Sequence, residues 1–388
     1  MHTLTKDEQF TGEPAVRLGG LHPNDTEDIA IVALQGLTTV KNVLRILHPN
    51  VIKRAFERIG KHVTVLMVSS WNIHCGIAEY TKTMVDHMPS WCHVEVIDYS
   101  KLERIGTSDA DILHIQWEPG LCDDHTELLE WIRKWPRKLV ATAHYYDDFM
   151  KAIRADLSIV HNENMVTRPN HHFLVQGCPV FPEKNKAQLR HKLKLPKDAL
   201  IIASFGFIMP WKNLDEIVRI LIQYIKLDPR IYLLLLHSPH PKVPDESARV
   251  IKNIDKSINN FGLNDRILRR WEFMEKEDIN DYFQASDIGM LYAPTADSKG
   301  SSAVVKEYVA GRLGLIASHI RHYSDLKKGL LYVQSGDIHA IIYKTLSTLT
   351  DPIALSKLKH EQNENYKEIN YTRVSLKHAH LYHEVLSQ

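Results

Sequence analysis

Residues 200–225 read LIIASFGFIMPWKNLDEIVRILIQYI, and this stretch decides the expected fold. It opens with an almost unbroken apolar run, continues through a loop containing Gly206, and ends with apolar residues at helical spacing. Continuous apolar runs are typical of parallel strands that are buried on both faces, and the helical spacing predicts an amphipathic helix. The stretch therefore predicts a strand, a turn and a covering helix, which is the repeating unit of α/β proteins.

The same alternation extends in both directions along the chain. Strands are predicted at 63–70, 93–99, 111–117, 138–144, 157–161, 172–177, 200–207, 231–237, 266–271, 286–292, 314–318 and 330–333. Helices are predicted at 77–88, 123–135, 212–227, 275–285 and 302–312, with one long helical segment at about 353–387. Strands that alternate with helices predict parallel sheets, so the expected fold class is α/β with doubly wound domains.

Residues 181–198 interrupt the alternation with a polar, basic stretch flanked by prolines. We interpret this stretch as the boundary between two Rossmann-like domains, 63–185 and 186–365. Ligands of such domains lie beyond the carboxyl ends of the strands, so a site is expected in the crevice between them. Residues 1–62 come before the first strand, and their apolar spacing predicts an N-terminal helical extension.

Composition excludes several classes of protein. The chain has 388 residues with 48 Lys and Arg against 47 Asp and Glu, so its net charge of +1 argues against a basic arm or an acidic tail. Its four cysteines show no CxxC spacing, which favours neither a zinc knuckle nor a disulfide scaffold and is consistent with a reducing, cytoplasmic compartment. No secretory signal and no transmembrane helix are predicted.

Three motifs of the first domain carry polar groups to predicted strand ends. Gly76, followed by a helix from Ile77, lets backbone N–H groups approach an anion or a sugar hydroxyl closely. Glu118, after the strand at 111–117, is placed to accept a hydrogen bond from a sugar hydroxyl. His144 ends a further strand. Each also has a purely structural interpretation, as a tight turn, a solvated carboxylate or a histidine satisfied by its neighbours.

Two motifs of the second domain predict an anion site. Lys212 follows the strand and loop that contain Gly206, so it pairs a point charge with the donors of a helix N-terminus, although an unassigned exposed lysine remains the alternative. Gly300-Ser301-Ser302 then opens another helix and offers N–H groups and hydroxyls to a diphosphate.

Glu307 lies on the helix that Ser302 opens. A carboxylate at that distance from the helix start can bind the two hydroxyls of a ribose while the phosphates rest on the N-terminus. We also predict that Phe273 binds the donor.

In this order the motifs resemble a family 4 glycosyltransferase with the GT-B fold. The resemblance covers roughly residues 63–385. It rests on GIAEY (76–80), HIQWEPG (114–120), TAH (142–144), FGF (205–207) with Lys212, and SSAVVKE (301–307) through to Ala317-Ser318.

The resemblance implies two Rossmann-like domains that face each other across a cleft, with the C-terminal helix, 366–388, crossing back to the first domain. Gly76 matches the glycine loop near the donor diphosphate, and His144 the histidine near the transferred sugar. Lys212 matches the phosphate-binding lysine, and Glu307 the second glutamate of the E-x7-E motif.

The sequence departs from the family pattern at the first glutamate of that motif. Eight residues before Glu307 stands Lys299, and Asp297 is the nearest replacement. The segment FGFIMPWK also lacks the arginine that often stands near the phosphate lysine.

The expected activity is therefore transfer of a sugar from a nucleoside diphosphate, UDP- or GDP-linked, to an acceptor with retention of configuration. No cofactor and no metal are expected, and His144, Lys212 and Glu118 are the predicted catalytic residues. Asp109-Ala110-Asp111 matches a DxD metal motif, but it precedes a strand and is interpreted as a strand-entry turn.

Other activities and several partners stay open. A non-catalytic nucleotide-sugar-binding protein, an epimerase and a phosphorylase fit the same scaffold. The acceptor is a glycan, a lipid-linked sugar, a small molecule or a modified nucleic-acid base. Basic clusters at 133–138 and 269–270 could follow a phosphate backbone, and a homo-oligomer is left open.

Overall fold

A computed structural model describes residues 62–388 except 72, 74, 123, 241, 242, 295–300 and 324, and omits the side chain of Trp211. The predicted N-terminal extension therefore lies outside the described residues, as do Gly300, Lys299 and Asp297. Residues 62–388 form one compact unit.

Two parallel six-stranded sheets dominate the described residues, as predicted. The first has the order β2-β1-β3-β4-β5-β6, and the second β12-β11-β10-β7-β8-β9. The strands are β1 Val63–Val68, β2 Cys92–Ile97, β3 Ile112–Trp117, β4 Lys138–Ala143, β5 Leu157–Val160, β6 His171–Phe173, β7 Leu200–Ile208, β8 Ile231–Pro239, β9 Ile267–Arg270, β10 Ile288–Leu291, β11 Leu315–Ser318 and β12 Leu330–Val333. Each predicted strand is present, and all but β12 have shifted ends.

Helices connect and cover the strands. They are α1 Gly76–Asp86, α2 His125–Lys134, α3 Asp148–Ala152, α4 Lys186–Lys192, α5 Leu214–Leu227, α6 Pro244–Phe261, α7 Lys276–Ala285, α8 Ala303–Ala310, α9 Ile338–Leu349, α10 Pro352–Ile369 and α11 Tyr371–Ser387. Helix α6 lies between two predicted strands, although its range was not given from the sequence, and its buried residues are Ser247, Val250, Ile254 and Ile258.

The C-terminal segment, predicted as helical over about 353–387, consists of two helices. Asn370 has extended backbone angles, and its side chain accepts a hydrogen bond from the N–H of Arg373, which caps α11. The break ends α10 four residues after the domain boundary that we predicted at 365/366. At Asn370 the chain therefore passes from α10 to α11, which packs on the first sheet.

Helix α11 packs against α1, β1 and β4 of the first sheet. Its residues are buried on nearly every side, including Ser375, whose hydroxyl donates to the carbonyl of Met84 at 2.7 Å. A helix that is buried all round must lie within the core of its unit. The last helix is thus part of the first sheet's packing.

The basic stretch 181–198 contains α4 and packs on the second sheet. Lys192 lies 2.6 Å from Asp281, and Arg190 lies 2.8 Å from Asp287. Asp281 lies on α7 and Asp287 lies just before β10. Their carboxylates neutralise basic residues of the stretch that we interpreted as a domain boundary. It belongs to the surface of the second sheet.

Candidate functional site

Gly76 begins α1 directly beyond the carboxyl end of β1. A Cβ atom added to Gly76 would meet no atom of the described residues within 4 Å. The Cys75 thiol accepts the N–H of Ile77 at 3.4 Å and caps the helix. The predicted anion contact of Ile77 would therefore have to displace a weak sulfur bond.

His144 follows β4 and is half-buried. Its Nε2 lies 2.9 Å from Oε1 of Gln116 on the neighbouring strand β3, and its ring meets the ring of Tyr80 edge-on with centroids 4.9 Å apart. Burial, followed by the neighbouring His161, holds the pKa of His144 well below its usual range. The imidazole is consequently neutral at physiological pH.

Glu118 turns back on its own loop. Its Oε2 accepts the backbone N–H of Gly120 at 2.9 Å and caps the short turn Pro119–Leu121. The end of β3 contacts the end of β4 through a backbone hydrogen bond, in which the N–H of His144 donates to the carbonyl of Trp117 at 3.0 Å. The structure thus explains a structural role for Glu118, and its predicted catalytic role stays a prediction.

Gly206 brings Lys212 and the first turn of α8 together. Its φ of +129° is accessible to glycine, and a Cβ there would lie 3.8 Å from Lys212 Nζ and 3.7 Å from a methyl of Val304. The Lys212 ammonium is 3.4 Å from the carbonyl of Phe207, and burial lowers its pKa. Among the described residues no carboxylate forms an ion pair with Lys212.

Ser301 and Ser302 are engaged within the second domain. The Ser301 hydroxyl donates to Asp325 Oδ2 at 2.5 Å, and the N–H of Ser302 donates to the carbonyl of His322 at 3.0 Å. Lys306, fully buried, bonds to the same Asp325 oxygen at 2.5 Å. The Ser301 hydroxyl predicted for a diphosphate instead completes a buried ion pair beneath the start of α8.

Glu307 lies at the contact between the two sheets' helices. Lys276 Nζ, at the start of α7, is 3.9 Å from Glu307 Oε1 and 3.0 Å from Oε1 of Glu79 on α1. Burial raises the pKa of Glu307 to about 7, Lys276 lowers it, and Glu79 and Glu277 raise it further. Glu307 is therefore close to half-protonated at neutral pH.

Phe273 lies in the loop between β9 and α7, three residues before Lys276. Its side chain is 67% exposed, which leaves the ring accessible at the surface.

Three groups near the site were not singled out from the sequence. His237 ends the strand predicted at 231–237 and lies two residues before the end of β8. Its Nδ1 lies 2.9 Å from the carbonyl of Gly206, and burial followed by Lys212 lowers its pKa to about 3. It has the same strand-end position that drew attention to His144, so the same rule would have found it. Lys276 and Asp325 lie outside any strand-end motif, and no sequence signal marks them.

The described surface carries cavities near the strand ends. One of about 200 Å³ has a lining that includes Asn162, Asn164 and Thr167 beyond β5 and Arg321 beyond β11. Another, of about 590 Å³, has a lining that includes Asn213, Tyr292 and Asp337 at the carboxyl ends of the second sheet.

The described residues contain no group of three or more His, Cys, Asp or Glu that could hold a metal ion, and none of their helices is long and apolar enough to cross a membrane. Asp111 accepts the N–H and hydroxyl of Thr64 at 2.9 and 2.7 Å, so the DxD stretch is a strand-entry turn as predicted. Of the basic clusters, Arg137 donates to the carbonyl of Ala110 and Arg269 pairs with Asp255.

No protein-family model matches the chain, and no curated protein matches it significantly. Solved structures do match it. HepE from Anabaena, in complex with UDP and glucose, shares 12% identity over 83% of this chain and 100% of its own, with a TM-score of 0.62.

Two further structures agree with this likeness. A glycosyltransferase from Rickettsia africae shares 16% identity over 84% of this chain and 99% of its own, with a TM-score of 0.62. A trehalose-6-phosphate protein from E. coli, bound with UDP-2-fluoro glucose, shares 12% identity over 84% and 99%, with a TM-score of 0.60. The chain therefore has the GT-B fold of these glycosyltransferases.

Proposed function

We propose that the protein transfers a sugar from a nucleoside-diphosphate sugar to an acceptor hydroxyl, with retention of configuration and without a metal ion. The observation that carries the proposal is the convergence at Gly206 of the Lys212 ammonium and the first turn of α8. A cation beside a helix N-terminus is a site for a phosphate group. Val304 and Glu307 are three residues apart on α8 and so share a face, which places a carboxylate within reach of the same ligand.

The arrangement supports a division of roles along the donor. Lys212 and the α8 N-terminus would stabilise the negative charge that develops on the leaving diphosphate, so no activated nucleophile is needed. Glu307 would accept hydrogen bonds from the ribose hydroxyls, and neutral His144 would contact the transferred sugar. UDP in similar structures supports a UDP-linked donor, with GDP as the second candidate.

The acceptor would approach from the first domain. The cavity of about 200 Å³ beyond β5 has a mostly apolar lining in which Asn164 and Thr167 supply amide and hydroxyl groups. Asn162, at its edge, directly follows His161, whose ring lies 5.3 Å from that of His144. The cavity is therefore a neighbour of the proposed sugar position and suits a hydroxyl-bearing acceptor such as a glycan, a lipid-linked sugar, a small molecule or a modified nucleic-acid base.

A donor screen tests the proposal. Purified protein is incubated with UDP- and GDP-sugars and an acceptor mixture, nucleotide release is measured, and products are identified by mass spectrometry. We expect nucleotide release with a new glycosidic product. Binding without turnover would instead favour a binding protein, isomerised donor an epimerase, and a requirement for inorganic phosphate a phosphorylase.

A further inference from the structure

A chain of buried polar side chains runs from His144 to the C-terminal helix. Gln116 and His114 lie two residues apart on β3, so they share one face of the sheet, and both are fully buried. Gln116 Oε1 is 2.9 Å from His144 Nε2, Gln116 Nε2 is 3.4 Å from His114 Nε2, and His114 Nδ1 is 2.6 Å from the hydroxyl of Tyr382 on α11. Because these groups are buried, a donor must face an acceptor at each contact of the chain.

Met67 determines which way the Gln116 amide faces. The amide group directed at His114 also lies 3.5 Å from the Met67 sulfur. A thioether sulfur accepts hydrogen bonds weakly and donates none, so the group beside it is the NH2 and not the oxygen. The amide oxygen therefore faces His144, and it requires a proton on His144 Nε2.

The same amide sets the protonation of His114. Its NH2 group faces His114 Nε2, which must therefore be an acceptor, and the Thr142 hydroxyl at 2.8 Å can donate to that nitrogen as well. The proton of neutral His114 is then on Nδ1 and is donated to the oxygen of Tyr382. Burial, followed by the neighbouring His378, holds the pKa of His114 well below its usual range, which keeps the ring neutral.

We propose that Gln116, His114 and Tyr382 are positioning residues that hold His144 as the neutral tautomer with its proton on Nε2 and with Nδ1 as the acceptor. Through this series of hydrogen bonds, Tyr382 on α11 determines which nitrogen of His144, directly after β4, carries the proton. The other rings against His144, those of Tyr80 and His161, contact it through their ring edges and planes. The tautomer follows from the geometry alone, whereas its effect on rate rests on the proposed function.

Removal of the Tyr382 hydroxyl should reverse the donor and acceptor roles along this series of hydrogen bonds. In Tyr382→Phe the Nδ1 proton of His114 loses its acceptor, so the tautomer with the proton on Nε2 becomes favoured. That proton would face the Gln116 NH2 group 3.4 Å away, donor against donor, so the amide turns over at the cost of its weak contact with the Met67 sulfur, and its NH2 then donates to His144 Nε2. His144 would carry its proton on Nδ1, with no net gain or loss of protons.

Imidazole nitrogen shifts in ¹⁵N-histidine-labelled full-length protein test this directly. The His144 signal is assigned by its disappearance in His144→Gln. We expect protonated Nε2 in the wild type and protonated Nδ1 in Tyr382→Phe. Tyr332→Phe is the matched control, because it also removes a tyrosine hydroxyl with hydrogen bonds, to the carbonyls of Tyr323 and Leu326 in the second domain.

Wild-type His144 protonated on Nδ1 would overturn the proposal, whether or not any variant folds. An unchanged tautomer in folded Tyr382→Phe would remove Tyr382 from the chain. If Tyr382→Phe does not fold, Gln116→Leu is used in its place. If His144 of Gln116→Leu is still protonated only on Nε2, the proposed role of Gln116 is wrong.

Turnover separates this inference from the proposed function. We expect kcat of Tyr382→Phe to fall about tenfold, the worth of one hydrogen bond, with a nearly unchanged donor KM, while Tyr332→Phe behaves as the wild type. A reversed tautomer with unchanged kcat would show that the His144 proton position does not serve transfer. A wild type that turns over no nucleotide-sugar would refute the proposed function and leave the tautomer result standing.

Discussion

Lys276 Nζ lies 3.0 Å from Glu79 Oε1, and this ion pair joins α7 beside the second sheet to α1 beside the first. The same ammonium is 3.9 Å from Glu307. One lysine therefore links the helix that begins at Gly76 with the helix that carries the proposed ribose ligand. Both partners of the Glu79 pair are about one-third to one-half exposed, so the link adds little stability and is readily broken.

Lys276→Met should shift the pH dependence of donor binding upward. Lys276 lowers the pKa of Glu307, which is about 7, so loss of the ammonium leaves Glu307 protonated to a higher pH. Donor affinity should then reach half its maximum above pH 7, as measured by nucleotide-sugar titrations across pH. Lys367→Met, which breaks the exposed pair with Glu364, is the control and should leave the midpoint in place.

Glu307→Gln should raise donor KM more than it lowers kcat. The ribose is unchanged by the reaction, so its contacts act about equally in the ground and transition states. Steady-state kinetics with saturating acceptor measure both constants. A collapsed kcat at unchanged KM would place Glu307 in the chemical step instead.

The same substitution should stabilise the unliganded protein at alkaline pH. The folded pKa of Glu307, about 7, exceeds the ordinary 4.5, so the folded state binds this proton more tightly than the unfolded state does. Stability from this group is complete below pH 4.5 and is lost as pH rises through 7. At pH 8 Glu307→Gln should gain up to about 3 kcal/mol, seen as a higher Tm.

Exposed Glu130→Gln on α2 is the control for that stability measurement. A gain of equal size in both variants, or a Glu307→Gln gain that is as large at pH 4 as at pH 8, would contradict the burial of an ionised carboxylate as its cause.

Lys212→Ala should weaken donor binding and slow transfer by about tenfold to a hundredfold, because a hydrogen bond to a charged group contributes about 1.5–3 kcal/mol. Nucleotide titration and initial rates give the two effects. Lys192→Ala, which removes a surface lysine paired with Asp281, should leave both unchanged. Wild-type affinity in Lys212→Ala would refute the phosphate assignment.

Activity should survive chelation. Lys212 and the N-terminus of α8 supply the countercharge that a divalent cation provides elsewhere. Initial rates are compared before and after EDTA treatment and dialysis. Loss of turnover that Mg²⁺ or Mn²⁺ restores would defeat this prediction.

Strand positions were predictable because their signal is local. Runs such as IIA at 201–203 and LLLL at 233–236 need no knowledge of neighbours, and both lie within buried strands. The break at Asn370 was placed four residues early, at 365/366, although Asn is a favoured N-cap, because apolar residues continue across it at helical spacing.

The two sheets and the elements that carry His144, Lys212 and Glu307 could be predicted from the sequence, since each depends on residues close by in the chain. Which of their atoms have partners depends on the tertiary structure. Asp325 takes the Ser301 hydroxyl across 24 residues, and Tyr382 meets His114 across 268. Hydrogen bonds form between groups that folding brings within about 3 Å, and no spacing along the chain encodes that distance.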